Sequence, residues 1–356
     1  MRIILTSVGG PLSPLLTKFL KKDNQLSNIY IVGVDRRKIK KILNLDAFYT
    51  VKMKNKNYFL KKFLQICKKE QIDLIIPGSD NEALIFSKFK NRFLKNGVKI
   101  LVNDYNVVKK ITNKYLTYKI LKKKGIKTPN FKLAKNISEL KKVLKKFDYP
   151  NKDVVIKPIS GTGGRGVKIL KGKNSNIEKW IGKAKRVKII NDKKLIFSKN
   201  IFQYGKVMVM NILTSPAFDV DNFSYLKKSF LVIRKRINPS GIPYKGNYII
   251  DNKKIEKYCK SISTALNLKY LTDIDLLCDD DKEPVVLEIN PRPSGSSVVT
   301  YLAGIPLFSY VIATVMNKKY VMPHRFKFRN KNSKLKIPKL NIKNQNFVDP
   351  IKWAKL

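Results

Sequence analysis

Two short stretches carry residue types whose spacing could do chemistry. The first, Val154-Val155-Ile156-Lys157-Pro158-Ile159-Ser160-Gly161-Thr162-Gly163-Gly164-Arg165-Gly166, sets a lysine in an apolar β pattern and runs straight into a glycine loop. A charge in such a run is costly unless it meets an anion. Gly161, Gly163, Gly164 and Gly166, with Thr162 among them, leave backbone N–H groups free to face phosphate oxygens. The second stretch, Leu287-Glu288-Ile289-Asn290-Pro291-Arg292, puts a carboxylate and an amide oxygen two apart on a strand, hence on one face, with an arginine two further on. Asp275, and Asp273 on the same face, lie in the β pattern just before it, and the turn Asp279-Asp280-Asp281 folds the two patterns into a hairpin. Asp275, Glu288 and Asn290 then form an all-oxygen set suited to magnesium, while the turn itself lacks calcium-loop spacing and reads as solvated. A lysine, a glycine loop and an oxygen-ligand strand are the parts needed to bind a magnesium nucleotide.

The elements that must position these residues follow from the apolar periodicity. The chain opens with Ile3-Ile4-Leu5, a Gly9-Gly10-Pro11 turn, a helix to about residue 22 and the apolar strand 29–34. A helix over 58–69, a strand over 72–76 and a helix from about residue 81 complete a βαβ series, which predicts a parallel sheet with helices on both faces. Ligands bind at the carboxyl ends of such strands, so residues 7–10, Asp35 and residues 77–82 are pocket walls. The turn Ser7-Val8-Gly9-Gly10-Pro11 is not a dinucleotide fingerprint, and its prolines deny backbone donors to a pyrophosphate. From Asn113 the pattern changes to helix, strand, helix and then the lysine strand; further strands are expected near 207–213, 218–223 and 229–236, with a helix over 253–266. The spacing shows no internal repeat.

The lysine and glycine loop, the Glu-x-Asn-x-Arg strand, Asn113-Lys114 ahead of a helix, Gly125-Ile126-Lys127-Thr128-Pro129 closing it, and Asp273-Ile274-Asp275 occur in an order that resembles the ATP-grasp superfamily, with the carbamoyl-phosphate-synthase-like ligases as the nearest pattern. The resemblance runs from residue 1 to about 306. It implies an α/β chain: a Rossmann-like parallel-sheet domain over 1–112, two α+β ATP-grasp subdomains over 113–200 and 201–316, and a basic peripheral tail over 317–356. It also implies Mg-ATP, with Mn2+ as an alternative ion, bound between the subdomains. Lys114 resembles the family's earlier nucleotide-contacting lysine, against the reading of a solvated helix lysine. Arg292 would stabilise the transferring phosphoryl group. Arg234 and Arg236 share one strand face and would bind a carboxylate or acyl phosphate, or else form a basic stripe on an edge strand. Asn211, Ile212 and Leu213 occupy the place of the adenine hinge. Here the pattern departs, since a glutamate is usual at Asn211 and a glycine-glutamate pair at Gly246-Asn247. The implied activity is ligation of a small-molecule carboxylate to an amine or similar nucleophile through an acyl phosphate. The alternatives are a nucleotide-binding protein that no longer ligates and, behind it, a basic nucleic-acid-binding protein.

Composition sets the outer bounds. The 356 residues suffice for two or three cores, and 43% apolar content is ordinary for globular proteins. No apolar run approaches the ~18 residues of a membrane span, and the amino terminus starts as a strand, not as a signal peptide. Cys67, Cys259 and Cys278 have neither metal nor redox spacing, which with the rest points to the cytoplasm. His324 is the lone histidine, so histidine-based catalysis and metal binding are set aside. The formal charge of +50, from 75 basic and 25 acidic residues, raises the question of nucleic acid. Lysine is spread over nearly every helix without stacking aromatics, which reads as a solvated surface with no dedicated nucleic-acid face.

Overall fold

The computed structural model describes residues 1–10, 12–39, 44–161, 166–173, 175, 188–190, 199–226, 228–236, 247–322 and 335–336. Thr162, Gly163, Gly164, Gly246 and His324 lie outside the described residues.

The amino-terminal third comprises β1 (Arg2–Thr6), α1 (Ser13–Lys22), β2 (Tyr30–Asp35), β3 (Ala47–Thr50), α2 (Lys56–Lys69), β4 (Leu74–Ile76), α3 (Asp80–Leu94) and β5 (Lys99–Ile100). Its five strands are all parallel, in the order β3-β2-β1-β4-β5. Strand alternation explains the run Ile3-Ile4-Leu5. Ile3 and Leu5 enter a cluster with Leu15 and Leu20 of α1, while Ile4 enters another with Phe63 of α2 and Phe86 of α3. A parallel sheet is covered on both faces, so its strands are apolar throughout.

Two helices, α4 (Tyr105–Ile111) and α5 (Lys114–Lys123), lead into β6 (Phe131–Ala134), α6 (Ile137–Lys146), β7 (Val154–Pro158), β8 (Lys168–Leu170), β9 (Lys188–Ile190) and β10 (Val207–Asn211). These strands form one sheet in the order β6-β10-β7-β8-β9. β10 pairs antiparallel with both β6 and β7, so it belongs with the lysine strand and not with the following subdomain, where the sequence reading had put it.

A six-stranded sheet completes the fold: β11 (Thr214–Tyr225), β12 (Lys228–Arg236), β13 (Asn247–Ile250), β14 (Tyr270–Cys278), β15 (Pro284–Asn290) and β16 (Leu335–Lys336), in the order β15-β14-β11-β12-β13-β16. One face packs on α7 (Lys253–Leu266) and, through Met208, Met210, Tyr118 and Leu121, on the middle subdomain. After the short α8 (Val299–Leu302), the helix α9 (Leu307–Val315) is buried almost all round, between Phe223 and Val232 of this sheet and Ile3 and Leu5 of the first. That burial explains why the most apolar run in the chain is a core helix. No described helix is long and apolar enough to cross a membrane. Part of the tail is integral, not peripheral. β16 adds a strand to β13, Tyr320 Oη donates to Asp23 Oδ2 at 2.6 Å, and Val321 N donates to Gln25 Oε1 at 2.7 Å.

Candidate active site

Lys157 is placed by the pleat of β7. Val154 and Ile156 point into the cluster with α6, whereas Val155 and Lys157 face the other way, toward α5 and the six-stranded sheet. Its Nζ lies 3.2 Å from both the Tyr118 hydroxyl and the Leu287 carbonyl, and the residue is 3% exposed. Burial, with Lys114 adding to it and Glu288 opposing, pushes the ammonium down to about 7. Lys114 opens α5, whose cap Asn113 accepts from Leu116 N. Its backbone N–H donates to Ile159 O at 2.7 Å, and its Nζ joins Gly161 O at 2.6 Å to Glu288 Oε2 at 3.2 Å. The start of the glycine loop, the first lysine and the carboxylate of β15 therefore meet. At the loop's far end Gly166 has φ +77, and a Cβ there would strike Tyr204 and Pro158 at 2.7 and 2.8 Å.

The six-stranded sheet builds the acidic side in two cross-strand rows. One runs Glu288, Asp275, Asp219, Arg234 across β15, β14, β11 and β12; the next runs Asn290, Asp273, Asp221. One carboxylate oxygen from each of Asp219, Asp273 and Asp275 lies within 4.8 Å of the others. Burial and then the neighbouring Asp219 push Asp273 up to about 7; burial and then Asp273 push Asp275 well above the carboxylate range. Burial would raise Asp219 too, but Arg236 and Arg234 overcome it and hold its carboxyl low. Burial likewise works to raise Glu288, and Lys114 and Lys157 outweigh it. Asn290 Nδ2 donates to Asp273 Oδ2 at 3.1 Å.

These residues fit a magnesium ion. The donors are hard oxygens, two carboxyls are held toward protonation by burial and then by neighbouring carboxylates, and the buried Asp273 Oδ1 has no hydrogen bond among the described residues. Asp275, Glu288 and Asn290 would hold the ion, with Asp219 and Asp273 beside them. The sequence reading missed Asp219 and Asp221. Their alternation on β11, in a chain with only 25 acidic residues, was the available signal.

The arginines divide. Arg292 meets Asp80 Oδ1 through Nε at 3.0 Å and Asp273 Oδ2 through Nη1 at 3.4 Å. Arg234 is fully buried: Nε and Nη2 donate to the two oxygens of Asp221 at 2.7 and 3.0 Å, and Nη1 donates to Ser296 Oγ at 2.7 Å. It has no surface to offer a substrate, and β12 is an interior strand, so neither expectation for Arg234 describes its position. Arg236, a little exposed, chelates Asp219 and reaches Asp275 Oδ1 at 3.3 Å. At the hinge position, Asn211 ends β10 with its Oδ1 buried and without a hydrogen bond among the described residues, an acceptor suited to an adenine amino group. Ile212 is half-buried and the Leu213 side chain belongs to the core, so Leu213 has only its backbone to offer a base. Asn247 is buried beside Arg236.

Comparison with known proteins agrees with this architecture. Residues 3–101 match the PylC-like N-terminal domain family, residues 95–196 the sugar-transfer associated ATP-grasp family, and residues 203–335 the ATP-grasp family of the biosynthetic pathway with Ter operon. The chain belongs to the ATP-grasp superfamily. An uncharacterized protein of Methanocaldococcus jannaschii is 28% identical over 74% of this chain and 60% of its own length. The carbamoyl phosphate synthase large chain of Clostridium acetobutylicum is 21% identical over 73% of this chain, which spans only 24% of that protein. Among solved structures, the L-amino acid ligase from Bacillus licheniformis has a TM-score of 0.63 at 14% identity, covering 87% of this chain and 73% of that one. The ADP complex of N5-carboxyaminoimidazole ribonucleotide synthetase has a TM-score of 0.61 at 14% identity, covering 89% and 77%. These structural likenesses are to the fold.

Proposed function

We propose that the protein is an ATP-dependent ligase that joins a small carboxylate to an amine or similar nucleophile. One observation carries the reading. Glu288 of the six-stranded sheet pairs with Lys114 and lies within electrostatic reach of Lys157 and Arg292, so both lysines of the middle subdomain and the arginine that meets Asp80 of the amino-terminal domain surround one carboxylate.

In this reading a carboxylate oxygen of the substrate attacks the γ-phosphorus of ATP. A C–O–P linkage forms as the bond to the β,γ-bridging oxygen breaks and ADP leaves. The nucleophile's lone pair then attacks the carbonyl carbon, the C–O bond to phosphate breaks, and the nucleophile gives up a proton. No side chain forms a covalent intermediate. Lys157 and Lys114 orient the phosphates, backbone N–H groups around Gly161 and Gly166 receive their oxygens, and Arg292 offers a planar fork to the phosphoryl group in flight. Asn211 accepts from the adenine. Arg234 serves by holding Asp219 and Asp221 in register, and Arg236 stands nearest the carboxylate substrate. When bound at Asp275, Glu288 and Asn290, magnesium supplies charge neutralisation for the β- and γ-phosphates.

The test is phosphate release from Mg-ATP with pooled carboxylates and amines, for the native chain and for Glu288→Gln. Turnover should require both pools, and the variant should lose about 100-fold or more while keeping its fold. Turnover unaltered by Glu288→Gln would remove that carboxylate from the site. ATP binding without turnover in any pool would favour the nucleotide-binding alternative, for which the asparagines at 211 and 247 speak.

A further inference from the structure

Arg292 is held from two sides by two different parts of the molecule. Asp273, on Nη1, belongs to the sheet that carries Arg292 itself. Asp80, on Nε, comes from the amino-terminal domain, where it is the first residue of α3 and is buried. The local sequence fixes it there. Ser79 caps α3 by accepting from Glu82 N, and its hydroxyl donates to Glu82 Oε2 at 2.7 Å. Thr6 Oγ1 and Ser7 Oγ donate to that same oxygen at 2.8 and 2.9 Å, and Gly78 N donates to Thr6 Oγ1 at 2.9 Å. Gly78 lies so close to β1 that a Cβ would stand 2.2 Å from Thr6 O. The turn before α3 is thus sewn to the end of β1, and Asp80 carries its position across the domain boundary to the guanidinium.

We propose that Asp80 is a positioning residue, which aims Arg292 at the γ-phosphoryl group and so makes the strength of that contact depend on the amino-terminal domain. The proposal rests on the reading of Arg292 as a phosphoryl contact. The Asp80 contact is an ion pair at 3.0 Å and not an aligned hydrogen bond, so Asp80 fixes where the guanidinium charge sits while the hydrogen bonds at Nη1 fix its plane, and a planar fork recognises phosphate only in the right place and plane. Without Asp80 the arginine keeps only its Nη1 contacts, to Asp273 Oδ2 at 3.4 Å and to Pro293 O at 3.1 Å, and its guanidinium can swing about that nitrogen.

The test separates this role from that of a mere interdomain ion pair. Calorimetry on the full chain would give affinities for Mg-ADP and for magnesium β,γ-imido-ATP, whose ratio isolates the γ-phosphoryl contact. Asp80→Asn should leave Mg-ADP within about 2-fold and weaken the analogue by roughly 5- to 20-fold, as expected for a misaimed charged contact. Arg292→Gln should do at least as much, and the double variant no more than Arg292→Gln alone, because the two residues act through one contact. Asp80→Glu, which keeps the charge, should recover part of the preference and serves if the asparagine variant fails to fold. Equal weakening of both nucleotides, an unchanged ratio in Asp80→Asn, or losses that multiply in the double variant would overturn the proposal. Arg292→Gln with an unaltered ratio would instead contradict the underlying reading of Arg292, and the proposal would fall with it.

Discussion

Lys157 is the residue whose setting says most about its ligand. Its charge is disfavoured by burial and by Lys114, so near neutrality much of it is unprotonated. Its folded value of about 7 lies below the ordinary 10.5, so between these pH values the folded state binds fewer protons than the unfolded state. The residue's contribution to stability is therefore least favourable below about 7 and improves as pH rises through that window. A polyphosphate reverses the preference, because it favours the ammonium. At about pH 8.5, binding of metal-free ATP, which displaces no proton from Asp273 or Asp275, should take up close to one proton, seen as a dependence of binding enthalpy on buffer ionisation enthalpy, and the uptake should vanish in Lys157→Met. Binding without proton uptake, or uptake that survives in the variant, would contradict this setting. Glu288 and Asn290 could be read as sharing a face because they stand two apart on β15, whereas Lys157 on β7 and Arg292 just after β15 were each singled out by their own motif. Asp219 and Asp221 were not, and Asp80 only as part of the pocket wall 77–82, because their partners are 13 to 212 residues away and only register or domain docking brings them together. Arg234 shows the same limit from the other side: on an alternating strand a surface arginine and a buried one read alike until Asp221 is known to lie beside it.

At the scale of elements, β11, β12 and β14 form the scaffold of the acidic rows, and Arg234 is what makes that scaffold neutral enough to fold. Removing it leaves Asp221 buried without its ion-pair partner and Asp219 with Arg236 alone. Arg234→Met should therefore lower unfolding stability by about 3–5 kcal/mol, and pairing it with Asp221→Leu should recover a good part of the loss. Chemical denaturation of the three proteins checks this; a loss under about 1 kcal/mol for the single variant would mean that water or rearrangement replaces the pair. The helices and the βαβ series were legible from apolar period. β10 was not, since a strand's sheet is chosen by pairing partners that its own residues do not name. β16 was hidden for the same reason, inside a basic tail with no strand pattern of its own. The run that forms α9 was legible as too short for a bilayer, and its burial almost all round makes it a core helix.

At the scale of the molecule, the amino-terminal domain supplies Asp80 from the start of α3, the middle subdomain Lys114 from α5 and Lys157 from β7, and the six-stranded sheet the carboxylates, with Arg292 just after β15. The charge of +50 surrounds this site and admits the rival view that any ATP affinity is diffuse attraction to a lysine-rich surface. Contacts inside a cleft are screened far less by salt than exposed lysines are, and only the cleft has oxygen ligands for a metal. The deciding measurement is calorimetric titration with ATP, with and without magnesium, at about 0.3 M salt, where the Debye length is roughly 6 Å. ATP should bind at one site per chain, markedly tighter with magnesium, and Asp275→Asn combined with Glu288→Gln should erase the magnesium effect. Binding that disappears at this salt, or that is equally strong without the metal, would contradict a magnesium nucleotide site between the lysine strand and the acidic sheet.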